Sequence, residues 1–487
     1  MDVCASIAEF IARNRLLEDD QRLIVGVSGG ADSLCLLDCL HRLGYSLVLA
    51  HLDHQLRPES PEEATYCREP AKRYGIPHVI EAEDVRAFAN QGRSVEEAAR
   101  LLRYRFLCRA AKLHGTTTIA TGHTEDDQIE TILMHFLRGA GPDGLRGMSA
   151  STSLEDWVDV AACQGLMLVR PLLEITRAQT MDYCREHELT IVQDASNEDT
   201  EFFRNRLRME LLPELESYNA GIRSVLVRTG HIMSAVSQLQ EDLVQAAWPR
   251  MVSRVGERAF LMCIESLLTL PLAVQRALFR QAVGVLKPTL RDVGFEQVTR
   301  GLAFLKSGET GKRQAVTGGL EILHMGSKAM LWSPGTEVSF PEYPQLREVK
   351  VTKVDPPKRI ELAEGWRLEI SSSRMDALTF EQVLEKSNKE RIFVDADRIR
   401  GRLRVRPWQP GDRIQLLGMK GHTKVAELFT NEGIAGPLRA LWPMVVDDEK
   451  IIWIAGVRMA HKARLTEASK RCIELRLIPP DERLEKE

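Results

Sequence analysis

Apolar and polar positions follow two rhythms over the first two hundred residues. Apolar, β-branched runs at 22–27 (RLIVGV), 45–52 (YSLVLAHL), 77–83 (PHVIEAE) and 116–122 (TTTIATG) predict strands. Between them, 33–43, 61–74 and 94–114 repeat apolar residues three and four apart and predict helices. Strands separated by helices argue for an α/β fold, a parallel sheet with helices on both faces. One position conflicts. Pro70 falls inside 61–74, and proline in a helix interior costs about 3 kcal/mol, so a kink or break is expected near Glu69.

The rhythm changes after about residue 215. Segments 221–247 and 260–306 read as helical, and from about 315 short β-like pieces (EVKVTKV, WRLEISS, RIFVDA) alternate with turns. Three units are expected: an α/β domain over 1–215, a mainly helical middle domain over 216–335, and a small β-rich domain over 336–487. The chain carries 65 basic and 69 acidic residues, a net charge of -4, so nucleic-acid binding must rest on local patches. Residues 391–471 hold 16 Lys+Arg against 9 Asp+Glu, or +7, which makes the terminal unit the candidate.

No apolar run approaches the roughly 18–20 residues that cross a bilayer. The start, MDVCASIAEFIARNRLLEDD, reads as a short amphipathic helix and not a signal peptide. Nine scattered cysteines without a Cys-x-x-Cys suit reduced thiols and a cytoplasmic location. Cys35 and Cys39, one turn apart on an apolar helix, read as core packing.

Parallel sheets bind ligands beyond the C-terminal ends of their strands, and three polar motifs fall there. In SGGADS (Ser28, Gly29, Gly30, Ala31, Asp32, Ser33) the glycines let backbone N–H groups curl around an anion at a helix start. The turn lacks the Gly-Lys-Ser/Thr of a Walker loop. A tight turn with Asp32 or Ser33 as helix N-cap is the other reading. HLDHQLR sets His51, Asp53, His54 and Arg57 at a strand end, with Asp53 placed for a ribose hydroxyl; an ordinary polar loop is the other reading. In GHTEDDQIETILMHFLRGAG, Thr124 reads as an N-cap and the helix stops at Gly139. His123 is expected to enter that helix with Asp127 one turn on, while Asp127 at N3 would also complete a capping box. SVEEAARLLRYRFL spaces Glu96, Arg100 and Arg103 helically, and DASNEDTEFFRNRLR offers Asp194, Asn197, Arg204, Arg206 and Arg208.

Taken in order, SGGADS, HLDHQLR, SVEEAARLLRYRFL, the GHTEDD helix, RPLL (170–173) and DASNEDTEFFRNRLR resemble one branch of the PP-loop ATP pyrophosphatases, the tRNA(Ile)-lysidine synthetases. The loop marks the superfamily and the ordered set marks the branch. The resemblance spans roughly 20–215, with a further stretch at 404–443. It implies an enzyme that joins the side-chain amine of free L-lysine to the wobble cytidine of tRNA(Ile) with a CAU anticodon. ATP adenylates the base carbonyl oxygen and pyrophosphate leaves; lysine attacks the carbonyl carbon and AMP departs. Carried onto this chain, Ser28 to Ser33 would hold ATP, and Asp32 and Asp127 would bind Mg2+. His123, Arg103 and Arg204 or Arg206 would lie near the phosphates and the activated base.

Elementary electrostatics agrees with the metal. A carboxylate about 4 Å from a phosphate oxygen is repelled by roughly 4 kcal/mol at an effective dielectric near 20. Two of them are tolerable with a divalent cation between, and magnesium takes one or two carboxylates plus phosphate oxygens. Arginine suits charge that builds during transfer. The attacking amine has a free pKa near 10.4, so a pocket carboxylate or His123 must take a proton.

In the terminal unit, Arg402, Arg404 and Arg406 alternate along a strand as a positive stripe for RNA phosphates, with Lys420, His422 and Lys424 close by. A charged strand edge is the alternative. The large middle domain could host a homodimer interface. Rival readings are a PP-loop tRNA thiolase, an amidotransferase-type ligase and a non-catalytic RNA-binding protein. The first needs a persulfide cysteine or Cys-x-x-Cys, the second an ammonia-generating partner, and the third neither Asp32 nor Asp127.

Overall fold

The computed structural model describes residues 2–55, 66–89, 94–155, 163–192, 203–255, 257–288, 290, 293–334, 340, 342–374, 380–419, 421–434 and 436–480. Arg57, Asp194, Asn197 and Lys420 lie outside the described residues. The chain divides into two compact units, Met1–Asp242 and Leu243–Glu487.

In the first unit six strands form one sheet: Arg22–Gly26 (β1), Ser46–Asp53 (β2), His78–Ala82 (β3), Thr118–Thr121 (β4), Ser151–Ser153 (β5) and Met167–Val169 (β6). Their order is β3-β2-β1-β4-β6-β5, parallel except for β5 at the edge. Both faces of β1 are buried, as a central parallel strand requires. Leu23 and Val25 pack on one face with helices Val3–Asn14 (α1) and Ala31–Arg42 (α2). Ile24 packs on the other, in a core that includes Leu101, Phe106 and Leu107. Helix Arg68–Tyr74 (α3) and helix Val95–Leu113 (α4) fall in expected segments, as does Glu125–Leu137 (α5), whereas Arg177–Glu186 (α6) lies in a stretch given no element in advance. The break expected near Pro70 is a turn at Cys67. Helix α3 restarts at Arg68, so Pro70 sits in a first turn whose N–H groups have no intrahelical partners to lose.

Strand order reverses between β1 and β4, so the loops that follow these two strands open at one switch point. Farther along, a helical turn Phe203–Arg206 runs through a π-turn, Leu207–Leu211, into helix Leu212–Tyr218 and then the long helix Ile222–Met251 (α7).

In the second unit, strands Val252–Arg254, Ala259–Cys263, Lys328–Trp332, Glu321–His324 and Arg313–Ala315 form a sheet in that spatial order. Helices Leu272–Leu286 and Phe295–Ser307 pack on it around Phe279. Ala259–Cys263 overlaps the start of a segment expected to be helical; a short, almost fully buried apolar run has no periodicity to tell strand from helix. The C-terminal part is β-rich as expected, with five-stranded and four-stranded sheets sharing a core around Phe429, Trp442 and Trp453.

The cysteines need one correction. Cys108 and Cys163 form a disulfide, with Cα atoms 5.2 Å apart although 55 residues separate them in sequence. Cys35 and Cys39 are fully buried in the core, as expected. Among the described residues, no helix is long and apolar enough to cross a membrane.

Candidate active site

The turn after β1 is built by a few hydrogen bonds. Gly29 has φ +86°, and its carbonyl accepts from Val192 N–H at 3.0 Å. Gly30 is extended at φ -75° and is itself the N-cap, so helix α2 begins at Ala31 with no side-chain cap. Neither Asp32 nor Ser33 caps it. Ser33 Oγ instead donates to the Gly30 carbonyl at 2.9 Å and accepts from Ser28 N–H at 3.1 Å, bracing the turn from inside. The positive φ that the nest requires is supplied by Gly29 alone. The uncapped first turn leaves backbone donors of α2 to face an anion.

Asp32, in that first turn, points to helix α6. Its Oδ1 accepts from the Thr180 hydroxyl. Its Oδ2 accepts from Arg177 Nη2 at 3.2 Å and Nε at 3.3 Å. Burial pushes the Asp32 carboxyl above its ordinary range, and the nearby charge of Asp127 adds to the rise. Neither Arg177 nor Thr180 was anticipated from sequence. Thr176 and Gln179 form a capping box at the start of α6.

The loop after β4 brings the second carboxylate. His123 lies before helix α5, not in it, because Thr124 is the N-cap; its Nδ1 pairs with Thr121 Oγ1 at 2.9 Å. Burial lowers the His123 pKa well below its usual value, so the imidazole is neutral at pH 7. Asp127 Oδ2 accepts from Thr124 N–H at 2.9 Å and Thr124 Oγ1 at 3.0 Å, completing the capping box. Burial works to raise the Asp127 carboxyl, but the Thr124 N–H and the charges of Arg177 and Arg204 work against it, and its pKa lies below the ordinary value. Asp127 therefore caps its helix and also faces the site, so the two readings of it are compatible.

The structure separates the two candidate arginines near residue 205. Arg204 Nη2 reaches Thr131 Oγ1 at 3.3 Å and feels Asp127 and Glu130. Arg206 is exposed, with its guanidinium 5.4 Å from the Phe203 ring centroid. Arg103 is exposed and within electrostatic range of Arg204 and Asp127. Asp53 is buried, and its Oδ1 accepts from Gln55 N–H at 2.8 Å. His51 pairs with the Val27 carbonyl at 2.8 Å, bracing the strand end beneath the loop.

One further carboxylate comes from the structure alone. Glu130 is 1% exposed; Oε1 accepts from Arg208 Nε at 2.6 Å, and Oε2 has no hydrogen-bond partner among the described residues. Burial raises its pKa. Arg177 feels Asp32, Asp127 and Glu130 together, so these three acids share one field. No cluster of three or more His, Cys, Asp or Glu suited to a metal occurs among the described residues. Two carboxylates at the switch point fit magnesium, which completes its shell with phosphate and water.

In the terminal unit Arg404 and Arg406 share a face of strand Leu403–Pro407, as expected, but both are already paired. Arg404 Nη2 meets Asp448 at 2.9 Å, and Arg406 binds both oxygens of Asp412 at 2.8 and 2.9 Å. The strand lies between two others, so it is no sheet edge either. The stripe of three free cations is thereby corrected: Arg402, His422 and Lys424 are the exposed ones.

Backbone amides at a switch point, with carboxylates where a Walker loop has lysine, define a PP-loop nucleotide-binding enzyme. A profile of the PP-loop domain accordingly matches residues 2–215, and one of the TilS substrate C-terminal domain matches 403–477. A tRNA(Ile)-lysidine synthase of Dehalococcoides mccartyi is 31% identical over 486 residues, covering 97% of this chain and 99% of the relative. Another, from Geobacter sulfurreducens, is 31% identical over 484 residues, 98% of this chain and 97% of the relative. The Solibacter usitatus enzyme of that name is 33% identical over 446 residues, 89% of this chain and 92% of its own length. The chain belongs to the tRNA(Ile)-lysidine synthase family.

Proposed function

We infer that this chain is a carbon–nitrogen ligase that joins L-lysine to the wobble cytidine of the CAU anticodon of tRNA(Ile), consuming ATP and releasing AMP and pyrophosphate. The observation that carries this reading is the convergence of Asp32 and Asp127, from two loops, at the switch point of the sheet. The turn from Ser28 to Ser33 takes the ATP phosphates on backbone N–H groups, and Asp53 reaches the ribose with the oxygen that Gln55 does not use. Asp32 and Asp127 are the residues that would hold Mg2+, which neutralises phosphate charge when bound. Arg204 and Arg103 stabilise charge developing as the cytidine carbonyl oxygen takes AMP and pyrophosphate leaves.

The lysine amine then attacks the activated carbon, and the carbon–oxygen bond to AMP breaks as the carbon–nitrogen bond forms. A pocket carboxylate or His123 accepts the amine proton. Glu130, with one buried oxygen unpaired, receives an ammonium group of the incoming lysine. We assign catalysis to residues 1–215 and tRNA binding to 216–335 and 336–487, the last through Arg402, His422 and Lys424 on the acceptor side. The site of action is the cytoplasm. A homodimer forms through the middle segment, where Ile232, Val236 and Leu239 stand exposed four and three residues apart on α7. Sulfur transfer finds no support: Cys67 and Cys184, beside the loop, are buried, and burial holds the Cys184 thiol protonated, up at about 12.

The test is direct. The protein is mixed with magnesium-ATP, labelled lysine and a CAU-anticodon transcript, and label in the RNA is counted. Incorporation that depends on ATP is expected; tight RNA binding without incorporation would leave only an RNA-binding protein.

A further inference from the structure

We propose that Arg177 competes with the divalent cation for Asp32, so that metal entry and release of this guanidinium are a single event. The proposal rests on the assignment of Asp32 as a metal ligand. Two N–H groups of Arg177 converge on one oxygen, Oδ2 of Asp32, at 3.2 and 3.3 Å, which occupies both of its in-plane lone pairs. The Thr180 hydroxyl takes Oδ1. A magnesium–oxygen bond of about 2.0–2.1 Å uses the same lone pairs, so ion and guanidinium exclude each other on Oδ2. A guanidinium does not deprotonate in proteins, so Arg177 yields only by moving. It also lies in the field of Asp127, the second carboxylate assigned to the metal, and of Glu130. The fixed cation thus stands where the mobile one is needed.

The neighbouring contacts allow the side chain to move while its backbone stays. Arg177 N–H donates to Asp126 Oδ2 at 2.8 Å, and Asp126 Oδ1 accepts from Arg223 Nη1 at 2.8 Å. Arg223, in the first turn of α7, is held in turn by Glu216 at 2.6 Å. The Arg177 side chain is 37% exposed, against 15% for Asp32, so solvent-side space is open to it. Arg177 acts here as a positioning residue. It holds the loop carboxylate in one rotamer and keeps two buried acids from facing each other uncompensated.

The experiment measures Mn2+ binding to the full-length, nucleotide-free protein by electron paramagnetic resonance of the free ion. Arg177→Gln is expected to tighten Mn2+ by about tenfold, an ordinary size for coupling within a site. Asp32→Asn is expected to lose that binding. Unchanged or weaker Mn2+ affinity in Arg177→Gln, with loss in Asp32→Asn, overturns the competition and leaves the metal assignment standing. Wild-type affinity in Asp32→Asn overturns the metal assignment and the proposal with it. Should Arg177→Gln not fold, Arg177→Lys serves. Its single ammonium cannot deliver a fork to one oxygen, so an intermediate tightening is expected and none overturns the proposal.

Discussion

Gly122 and Asp32 meet backbone to backbone: a Cβ on Gly122 would lie 2.9 Å from both the carbonyl carbon and the oxygen of Asp32. Gly122 follows β4 and Asp32 lies in the first turn of α2, so the missing side chain lets the two site loops close on each other. Gly122→Ala must push the first turn of α2 away from the second loop. A stability loss of about 1–3 kcal/mol is expected, the usual cost of overpacking. Binding of a non-hydrolysable ATP analogue should weaken at the same time. Urea unfolding with calorimetric titration checks both, and wild-type affinity in the variant would refute the close approach as a determinant of the site.

Arg204 and Arg206 separate cleanly in the fold, and their variants should too. Arg204 faces Thr131, Asp127 and Glu130, whereas Arg206 lies over Phe203 at the surface. Arg204→Ala should slow tRNA-dependent adenylation, followed as AMP release, by about a hundredfold or more, the usual scale for losing one donor to developing charge. Arg206→Ala should stay within about twofold, since an exposed cation–π contact is worth only about 0.5–1 kcal/mol. Equal losses in both variants would mean that the segment acts as a generic basic patch.

The pH dependence of stability has an expected sign at His54. Burial, with Arg103 and His51 adding, pulls its pKa down to about 4, and its Nδ1 has no hydrogen-bond partner among the described residues. The unfolded chain takes a proton near pH 6.5 that the folded chain refuses until about pH 4. The stability this group contributes is therefore complete above pH 6.5 and is lost as pH falls toward 4. The loss is at most about 3 kcal/mol, at roughly 1.4 kcal/mol per pH unit. His54→Gln should flatten that limb, which urea midpoints at pH 7 and 4.5 would show. An unchanged slope would mean that His54 titrates normally.

How much of this could be read beforehand depends on how local each signal is. The strands around β1 and the cap at Thr124 were readable because β-branched runs and capping residues act within a few positions. Asp32 and Asp127 stood out because a carboxylate beside a phosphate turn breaks an electrostatic rule. Arg177 and Thr180 did not: they reach Asp32 across about 145 residues, from the first turn of a helix that carried no motif. Cys108 and Cys163 form no spacing motif, and only the packing of the first unit brings them together. Glu130 sits on a helix face, and its partner Arg208 comes 78 residues on. A basic residue directly after an N-cap, as Arg177 follows Thr176, was the one available hint, since helix starts normally favour acids.

The same lesson gives the last prediction, in the terminal unit. Arg404 and Arg406 fit a phosphate-binding stripe by alternation, yet Arg406 and Asp412 form a doubly hydrogen-bonded pair, only 16% and 11% exposed. Asp412 also accepts from Gln409 N–H at 2.9 Å, so the pair fixes the turn that leads into strand Arg413–Ile414. Arg406→Ala leaves a largely buried carboxylate without its partner, a change that costs about 3–5 kcal/mol. Its effect on tRNA binding should therefore follow from local unfolding, visible as lost amide protection around Asp412. Arg402→Ala and Lys424→Ala remove exposed cations and should leave stability within about 0.5 kcal/mol. Each should instead lower the slope of log affinity against log salt for tRNA by about one. A salt slope unchanged in both would remove this face from the RNA interface.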